Sequence, residues 1–228
     1  MENAWIIGGT SGIGAAIAHE LRLDSFNVVV NDESEVNVTS TIAIENFLRT
    51  GPTQGKWNHI VYSAGFNKLA WLEAIQEIDM MHIFDVNVLG FIRLMGAVAR
   101  LPQENMPTSV TAICSDAATH PMRTSISYCA SKAALAMAVR CAARELAPVV
   151  RVNAISPGVV QGTPMTEEID KQIGAVRGWV LGDVIQNSKD TIPLGRRGFV
   201  REIAHVVHDV IDGPAYLTGS IIEVNGGR

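Results

Sequence analysis

The chain opens with a short apolar strand, a glycine-rich turn and an apolar-periodic helix, in that order. The strand covers residues 4–7, the turn 8–14 and the helical pattern 15–23. Glycines let the backbone of such a turn approach a pyrophosphate closely, and the helix N-terminus favours the phosphate charge. The pattern predicts a dinucleotide-binding unit, although Ile17 stands where the common G-x-G-x-x-G spacing has its third glycine.

The second predicted strand, residues 26–31, is followed by an acid that favours one nicotinamide cofactor. Asp32 lies eighteen residues beyond Gly14, near the place where a carboxylate accepts hydrogen bonds from an adenosine ribose; the alternative is an ordinary acidic turn residue. The run 31–35 carries acids and no lysine or arginine. Because these acids would repel a 2′-phosphate, we expect NAD(H) to be preferred over NADP(H).

A tyrosine and a lysine four residues apart indicate proton-transfer chemistry. Tyr128 and Lys132 follow Ser115, which stands thirteen residues before the tyrosine. Residues at this spacing share a helix face, and a neighbouring cation stabilises a phenolate and lowers the pKa of the phenol. Alone, the pair also fits a surface tyrosine beside a solvated lysine. Together with the nucleotide-binding unit it predicts an active site.

With these motifs in this order, the chain resembles the classical short-chain dehydrogenase/reductase family over essentially its whole length. The resemblance implies that Tyr128 is the acid/base and that Ser115 hydrogen-bonds the substrate oxygen. It also implies that Lys132 binds the nicotinamide ribose and lowers the pKa of the phenol. The fourth catalytic position of the family is filled by Asn87, which would bind a water linking Lys132 to solvent.

The same resemblance assigns the cofactor site. The family's Asn-Ala-Gly turn corresponds to 63–65, with Ser63 in place of the asparagine, and its carboxamide-binding segment to 157–165. The implied cofactor-binding residues are Gly8, Thr10, Ser11, Gly12, Ile13, Gly14, Asp32, Asn37, Val38, Ser63, Ala64, Gly65, Tyr128, Lys132, Pro157, Gly158, Val160 and Thr163.

Strand patterns alternate with helical patterns, which indicates an α/β protein. We predict a single Rossmann-like domain over 1–228: a doubly wound parallel sheet of about seven strands with helices on both faces, and a substrate-loop insertion at about 159–198. Only three residues separate Asp32 from 36–38, whereas a parallel crossover needs about a dozen. The third strand is therefore expected to be vestigial and the third helix missing, which would open the adenine pocket.

Composition excludes several functions. A formal net charge of −5 offers no concentrated basic face, so no nucleic-acid or anionic-membrane partner is expected. No apolar run reaches about 18 residues, and no cationic leader precedes the first strand, so neither membrane insertion nor secretion is expected. Three cysteines without Cys-x-x-Cys spacing indicate a cytoplasmic protein. His205 and His208 lack a third ligand, so no metal is expected.

These observations predict an NAD(H)-dependent oxidoreductase that transfers a hydride between nicotinamide and a secondary alcohol or ketone. Its small-molecule substrate would meet Ser115, Tyr128, Phe66, Asp116 and Trp179. Two alternatives stay open: an NADP(H)-dependent 3-oxoacyl thioester reductase, and a non-catalytic dinucleotide-binding sensor or scaffold.

The sequence leaves two further interpretations open. Arg123 or His120 either meets an anionic group of the substrate or only caps a loop. The alanine-rich stretch 130–147 is either an oligomer face or a good helix former packed on the sheet. For this stretch the resemblance favours an oligomer face, in a homodimer or homotetramer.

Overall fold

The computed structural model describes residues 1–228 and contains eight strands. They are β1 (Asn3–Ile7), β2 (Asn27–Asn31), β3 (His59–Tyr62), β4 (Ser109–Ile113), β5 (Arg151–Pro157), β6 (Val160–Gln161), β7 (Gly198–Phe199) and β8 (Ile221–Val224). Six of them form one parallel sheet in the order β2-β1-β3-β4-β5-β8, while β6 and β7 pair with each other. The strand order reverses between β1 and β3, and doubly wound sheets bind ligands at the carboxyl ends of such strands.

Eight helices connect these strands. They are α1 (Gly12–Leu23), α2 (Thr41–Thr50), α3 (Glu77–Phe84), α4 (Gly90–Ala99), α5 (Ile126–Leu146), α6 (Pro164–Arg177), α7 (Leu181–Asp190) and α8 (Val200–Ile211). A π-helical turn, Asp85–Leu89, joins α3 to α4, and single 3₁₀ turns occur at Leu72–Ala74, Gln103–Asn105 and Asp116–Ala118.

The sheet has a hydrophobic core on each face, as the alternation of side chains along β1 illustrates. Ala4 and Ile6 pack in the cluster that contains α1 and α8, whereas Trp5 and Ile7 pack in the cluster that contains α2, α4 and α5. Successive residues of a strand point to opposite faces, so a strand covered on both sides is apolar throughout. The predicted doubly wound sheet with helices on both faces is confirmed.

The region after β2 differs from the prediction in one respect. Residues 36–38 form no strand, so the main sheet has six strands rather than about seven. The backbone N–H of Val36 donates to the Asp32 carbonyl at 3.0 Å, closing a turn. Val36 and Val38 are buried in the core next to that turn. Three residues cannot carry the chain to a new strand position, which leaves a turn leading into α2 instead.

The helical segment Glu77–Ala99 is long and apolar enough to cross a membrane by length and composition, with a mean hydropathy of 1.4. Such a run is not expected from the sequence. Half of its most apolar window is buried inside the fold, where Phe91, Leu94 and Val98 pack against the sheet. A core helix passes the same test, so this segment alone is weak evidence for a membrane span.

Residues 159–198 contain two helices that are not predicted from the sequence. Thr163 caps α6 by accepting a hydrogen bond from the Thr166 N–H at 3.0 Å, Pro164 is the first helical residue, and Gly178 (φ +73°) ends the helix. Such a cap, an N-terminal proline and a left-handed glycine are recognised helix boundaries. These boundary residues can be seen in the sequence, but α6 is so polar that it shows no clear apolar periodicity.

Candidate active site

A cavity of about 910 Å³ opens at the carboxyl ends of the central strands. Its volume lies within the range of about 300–1,000 Å³ common for ligand sites. Every predicted catalytic, cofactor and substrate residue lines this cavity except Asn87. The fold thus brings together positions that are separated by most of the sequence.

The glycine turn fits a dinucleotide because it leaves no room for side chains. A Cβ at Gly8, where φ is +75°, would lie 2.9 Å from the Ala64 nitrogen, and one at Gly14 would lie 2.1 Å from the Gly8 carbonyl oxygen. The N–H groups of Gly8 and Gly9 donate to the Asn31 carbonyl and fix the turn to β2. Since α1 begins at Gly12 beside the cavity, its N-terminal peptide groups are available to an anion such as a pyrophosphate.

The end of the cavity next to β2 is acidic. The Asp32 carboxylate accepts hydrogen bonds from the Ser34 N–H at 2.9 Å and from the Ser34 hydroxyl at 2.5 Å. These bonds hold the pKa of Asp32 below its usual value, and the bond from the Ser34 hydroxyl has the larger effect. The Asn37 side-chain carbonyl accepts from the Thr39 N–H and hydroxyl, both at 2.8 Å. The residues between 7 and 39 that line the cavity include Glu33 and no lysine or arginine.

The opposite wall comes from the ends of β5 and α6. Pro157, Gly158, Val160 and Thr163 line the cavity there. Thr163 lies directly against the glycine turn, since a Cβ at Gly12 would be 3.3 Å from the Thr163 Cβ. The two predicted parts of the cofactor site therefore meet at this point and line the same cavity.

Ser115, Tyr128 and Lys132 meet at the centre of the cavity. Ser115 caps the 3₁₀ turn after β4, and its oxygen accepts from the Ala117 N–H at 3.2 Å. Tyr128 and Lys132 are buried on the first turns of α5. The Lys132 Nζ lies 5.6 Å from the centre of the Tyr128 ring and donates to the Ile113 carbonyl at 3.0 Å.

The pKa values of these groups differ from the expectation. Burial raises the pKa of Tyr128, and the neighbouring Ser115 hydroxyl only partly opposes this. Burial also lowers the pKa of Lys132, against the influence of Cys114. The expected lowering of the phenol pKa by Lys132 therefore stays a prediction. The lysine ammonium donates to a backbone carbonyl instead of the phenol, and desolvation dominates.

Asn87 lies behind the cavity and ties two of its walls together. It is fully buried in the π-helical turn, a feature often found at functional sites. Its Oδ1 accepts from the Phe66 N–H at 2.8 Å, and its Nδ2 donates to the Phe66 carbonyl and to the Ser131 hydroxyl, both at 2.9 Å. These bonds position the Phe66 segment against α5, while the water-relay role of Asn87 stays a prediction.

The predicted substrate residues each have a partner that the sequence did not reveal. The Phe66 ring meets the edge of His82 at 4.7 Å between ring centres. Asp116 pairs with Arg228 at 3.2 Å; burial raises the pKa of this aspartate, and Arg228 opposes the change. Trp179, the third predicted contact, lies 6.0 Å from the Arg177 guanidinium.

A buried ion pair in the cavity wall was also missed. Arg197 donates to both carboxylate oxygens of Asp170, at 2.6 and 2.9 Å, and to the Ser188 hydroxyl at 2.7 Å. All three residues line the cavity. Nothing in the sequence distinguishes Arg197 from its neighbour Arg196, whose ion pair with Glu202 is exposed.

The surface histidines each contact an acidic side chain rather than each other. His205 lies 3.4 Å from Glu20 and His208 lies 2.9 Å from Asp24. No group of three or more His, Cys, Asp or Glu side chains is placed to hold a metal ion. All three cysteines are free.

Comparison with known proteins places this geometry in a family. A family model described as enoyl-(acyl carrier protein) reductase matches residues 34–228. L-2,3-butanediol dehydrogenase of Corynebacterium glutamicum is 27% identical over 98% of this chain and 97% of its own. The 3-oxoacyl-[acyl-carrier-protein] reductase MabA of Mycobacterium tuberculosis is 29% identical over 97% of this chain and 90% of its own.

A solved structure agrees with these relatives. A small-chain dehydrogenase in complex with NADPH superposes with a TM-score of 0.82 at 25% identity, covering 99% of this chain and 97% of the other. Fold and relatives together define the class: an oxidoreductase with a Rossmann-like fold that uses a nicotinamide dinucleotide. Within that class, the chain belongs to the short-chain dehydrogenase/reductase family.

Proposed function

We propose that this protein is an NAD(H)-dependent dehydrogenase or reductase that interconverts a secondary alcohol and a ketone. The observation that carries the proposal is the single cavity lined by Ser115, Tyr128 and Lys132 together with the glycine turn. When bound, the nicotinamide supplies or accepts the hydride. The similarity to butanediol dehydrogenase supports an alcohol and carbonyl pair as substrate and product.

The residues of the chain would move the proton and position the reacting oxygen. In reduction, the Tyr128 phenol donates its proton to the substrate oxygen, and in oxidation the phenolate takes it back. The Ser115 hydroxyl donates a hydrogen bond to the same oxygen and keeps it within reach of the phenol, because geometry contributes as much as pKa to such a transfer. Lys132 would bind the ribose hydroxyls, and Asn87 would hold the relay water.

The raised pKa of Tyr128 gives a pH dependence with a defined sign. Reduction needs the neutral phenol, so kcat/KM for a ketone should stay level from neutral pH up to or beyond about 10, the ordinary pKa of tyrosine. Oxidation needs the phenolate and should rise with pH over the same range. Initial rates in both directions test this. A reduction rate that already declines between about pH 7 and 9 would mean that the donor has a lowered pKa.

The cofactor preference rests on the acidic end of the cavity. Asp32 and Glu33 line it without a nearby cation, which disfavours a 2′-phosphate. The NADPH complex of the similar dehydrogenase and the resemblance to a 3-oxoacyl reductase keep NADP(H)-dependent thioester reduction as a second candidate.

Removing the charge of Asp32 should therefore change cofactor selection. We expect Asp32→Asn to lower the ratio of kcat/KM for NADH to that for NADPH by about tenfold, since one repulsive charge near the 2′-position is lost. The amide can still accept the Ser34 hydrogen bonds. Glu104→Gln, an exposed charge change outside the cavity, serves as the control. An unchanged ratio would place the 2′-position away from Asp32.

The direct test of the function is NADH consumption by the purified protein with a panel of ketones and aldehydes, with NADPH in parallel. NAD with secondary alcohols gives the reverse direction. Turnover with NADH supports the proposal, and turnover only with NADPH and 3-oxoacyl thioesters favours the second candidate. NADH binding without turnover in either direction would favour a sensor or scaffold.

We also propose that the protein is a homodimer or homotetramer. The support is the apolar surface of α4 and α5 and the π-helical turn beside them, where Leu89, Ile92, Ile126 and Met137 are exposed. The alanine-rich part of α5 would allow close packing of a second copy. The absence of nucleic-acid and membrane partners and the cytoplasmic location stay predictions.

A further inference from the structure

Four arginines line the cavity, and two of them lack an acidic partner. Arg197 pairs with Asp170, and Arg228 pairs with Asp116. Arg123 and Arg177 form no ion pair, although both line the same cavity. Arg123 is exposed and Arg177 is partly buried, so both charges stay available to a ligand in the cavity.

Arg177 is held in place by neutral groups. Its Nε and Nη2 donate to the Thr124 hydroxyl at 3.1 and 3.0 Å, and Nη2 also donates to the Arg123 carbonyl. A lysine or arginine near a helix C-terminus often donates hydrogen bonds to the last carbonyls of that helix. This guanidinium instead points across to the loop before α5, so the helix end does not account for its position.

Each of the two arginines also lies beside a tryptophan ring. The Arg123 guanidinium lies 5.2 Å from the centre of the Trp71 ring, and the Trp71 Nε1–H donates to the Val176 carbonyl at 2.9 Å. Arg177 lies 6.0 Å from the centre of the Trp179 ring. Aromatic faces attract a cation but do not neutralise it. Both guanidinium groups thus lie against uncharged groups, and Arg177 donates to the backbone carbonyl of Arg123.

The electrostatics of the pair favours an anion. Burial lowers the pKa of Arg177, and the charge of Arg123 lowers it further. Glu168, an acid of α6 that also lines the cavity, accepts a hydrogen bond from Gln172 at 3.0 Å and forms no ion pair with either arginine. An anionic ligand would relieve the repulsion, and guanidinium groups match carboxylate and phosphate oxygens in shape.

We infer that Arg123 and Arg177 bind an anionic group, a carboxylate or a phosphate, carried by the substrate in addition to its carbonyl. The inference rests on the proposed function and deepens it by naming the substrate class: an oxo acid or oxo phosphate rather than a neutral ketone. Met122 and Ile173 also line the cavity, each next to one arginine in the loop or along the helix. They would contact the apolar carbon chain between the two polar groups.

The test compares matched ligands on the protein saturated with NAD, the oxidised cofactor, so that the oxo compounds bind without being reduced. Binding of a homologous series of oxo acids is measured by calorimetry and by tryptophan fluorescence, beside their methyl esters and the corresponding oxo phosphates. We expect the best acid or phosphate to bind at least about tenfold more tightly than the matched ester, the gain typical of one charge-assisted hydrogen bond. The carboxylate and phosphate arms distinguish the two anions.

Three variants test whether the charges of Arg123 and Arg177 cause the preference for the anionic ligand. Arg123→Gln, whose native guanidinium has no hydrogen bond in the structure, should reduce the preference for the anion by about tenfold. Arg177→Lys keeps a charge and should retain part of the preference. Arg49→Gln, an exposed arginine on α2, removes the same charge elsewhere and should leave the preference unchanged. NADH binding reports that each variant is folded.

The outcomes separate this inference from the proposed function. Equal affinity for acid and ester, or a preference that survives Arg123→Gln, overturns the anion site even if ketones are reduced. An arginine-dependent preference for the anion without oxidation of NADH supports the site and counts against the reductase.

Discussion

Tyr128→Phe is expected to lower kcat/KM for carbonyl reduction by about 10²- to 10⁴-fold, the contribution usual for a positioned general acid. In free energy this corresponds to about 3–5 kcal/mol of lost transition-state stabilisation. The change removes one hydroxyl and leaves the ring, which is buried on α5 beside the cavity. NADH affinity should therefore change little. The measurements are steady-state kinetics and NADH titration.

The other two tyrosines provide matched controls. Tyr62→Phe also removes a buried hydroxyl, which donates to the Val86 carbonyl at 2.5 Å, and should cost about 0.5–1.5 kcal/mol of stability without the catalytic loss. Tyr216 is fully exposed, and Tyr216→Phe should be neutral. If Tyr128→Phe retained full turnover, the proton would have to come from another group, and the proposed role of this tyrosine would be wrong.

The fold was accessible from the sequence because its signals are local and repeated. Apolar strands such as 4–7 and 59–62, each followed by a turn and a helical pattern, define a parallel sheet without knowledge of distant contacts. The segment 36–38 shows the limit of this reasoning. Its valines suit a strand, but the three residues after Asp32 cannot reach a sheet position, and burial of the valines in the core decides the outcome.

The site was predictable only where a motif fixes backbone geometry or helix spacing. The glycine turn and the pair Tyr128 and Lys132 are of this kind, and they line the cavity as expected. The pKa of Tyr128 was not predictable, since it depends first on burial and then on the Ser115 hydroxyl, and both follow from the folded structure. Pairs such as Asp116 and Arg228 join residues more than a hundred positions apart, and no local pattern identifies them.

The second large effect concerns the buried ion pair in the cavity wall. Asp170→Ala should destabilise the protein by about 3–5 kcal/mol, because the Arg197 guanidinium is left buried without its carboxylate. Asp170 lies on α6, and Arg197 follows α7 and also bonds Ser188. Loss of the pair should therefore loosen both helices first. Urea unfolding and hydrogen exchange of the 164–190 amides measure the global and local effects.

The neighbouring arginine supplies the control for this prediction. Arg196→Gln breaks an ion pair with Glu202 that is exposed to solvent, so stability should change little, although the two arginines are adjacent in sequence. The double variant Asp170→Leu with Arg197→Met should recover most of the loss, because well-packed apolar groups can replace a buried ion pair. A stable Asp170→Ala variant would mean that water reaches Arg197 from the cavity. Loss of stability in the single variant with recovery in the double one would show that the loss comes from the buried charge of Arg197 left without a partner.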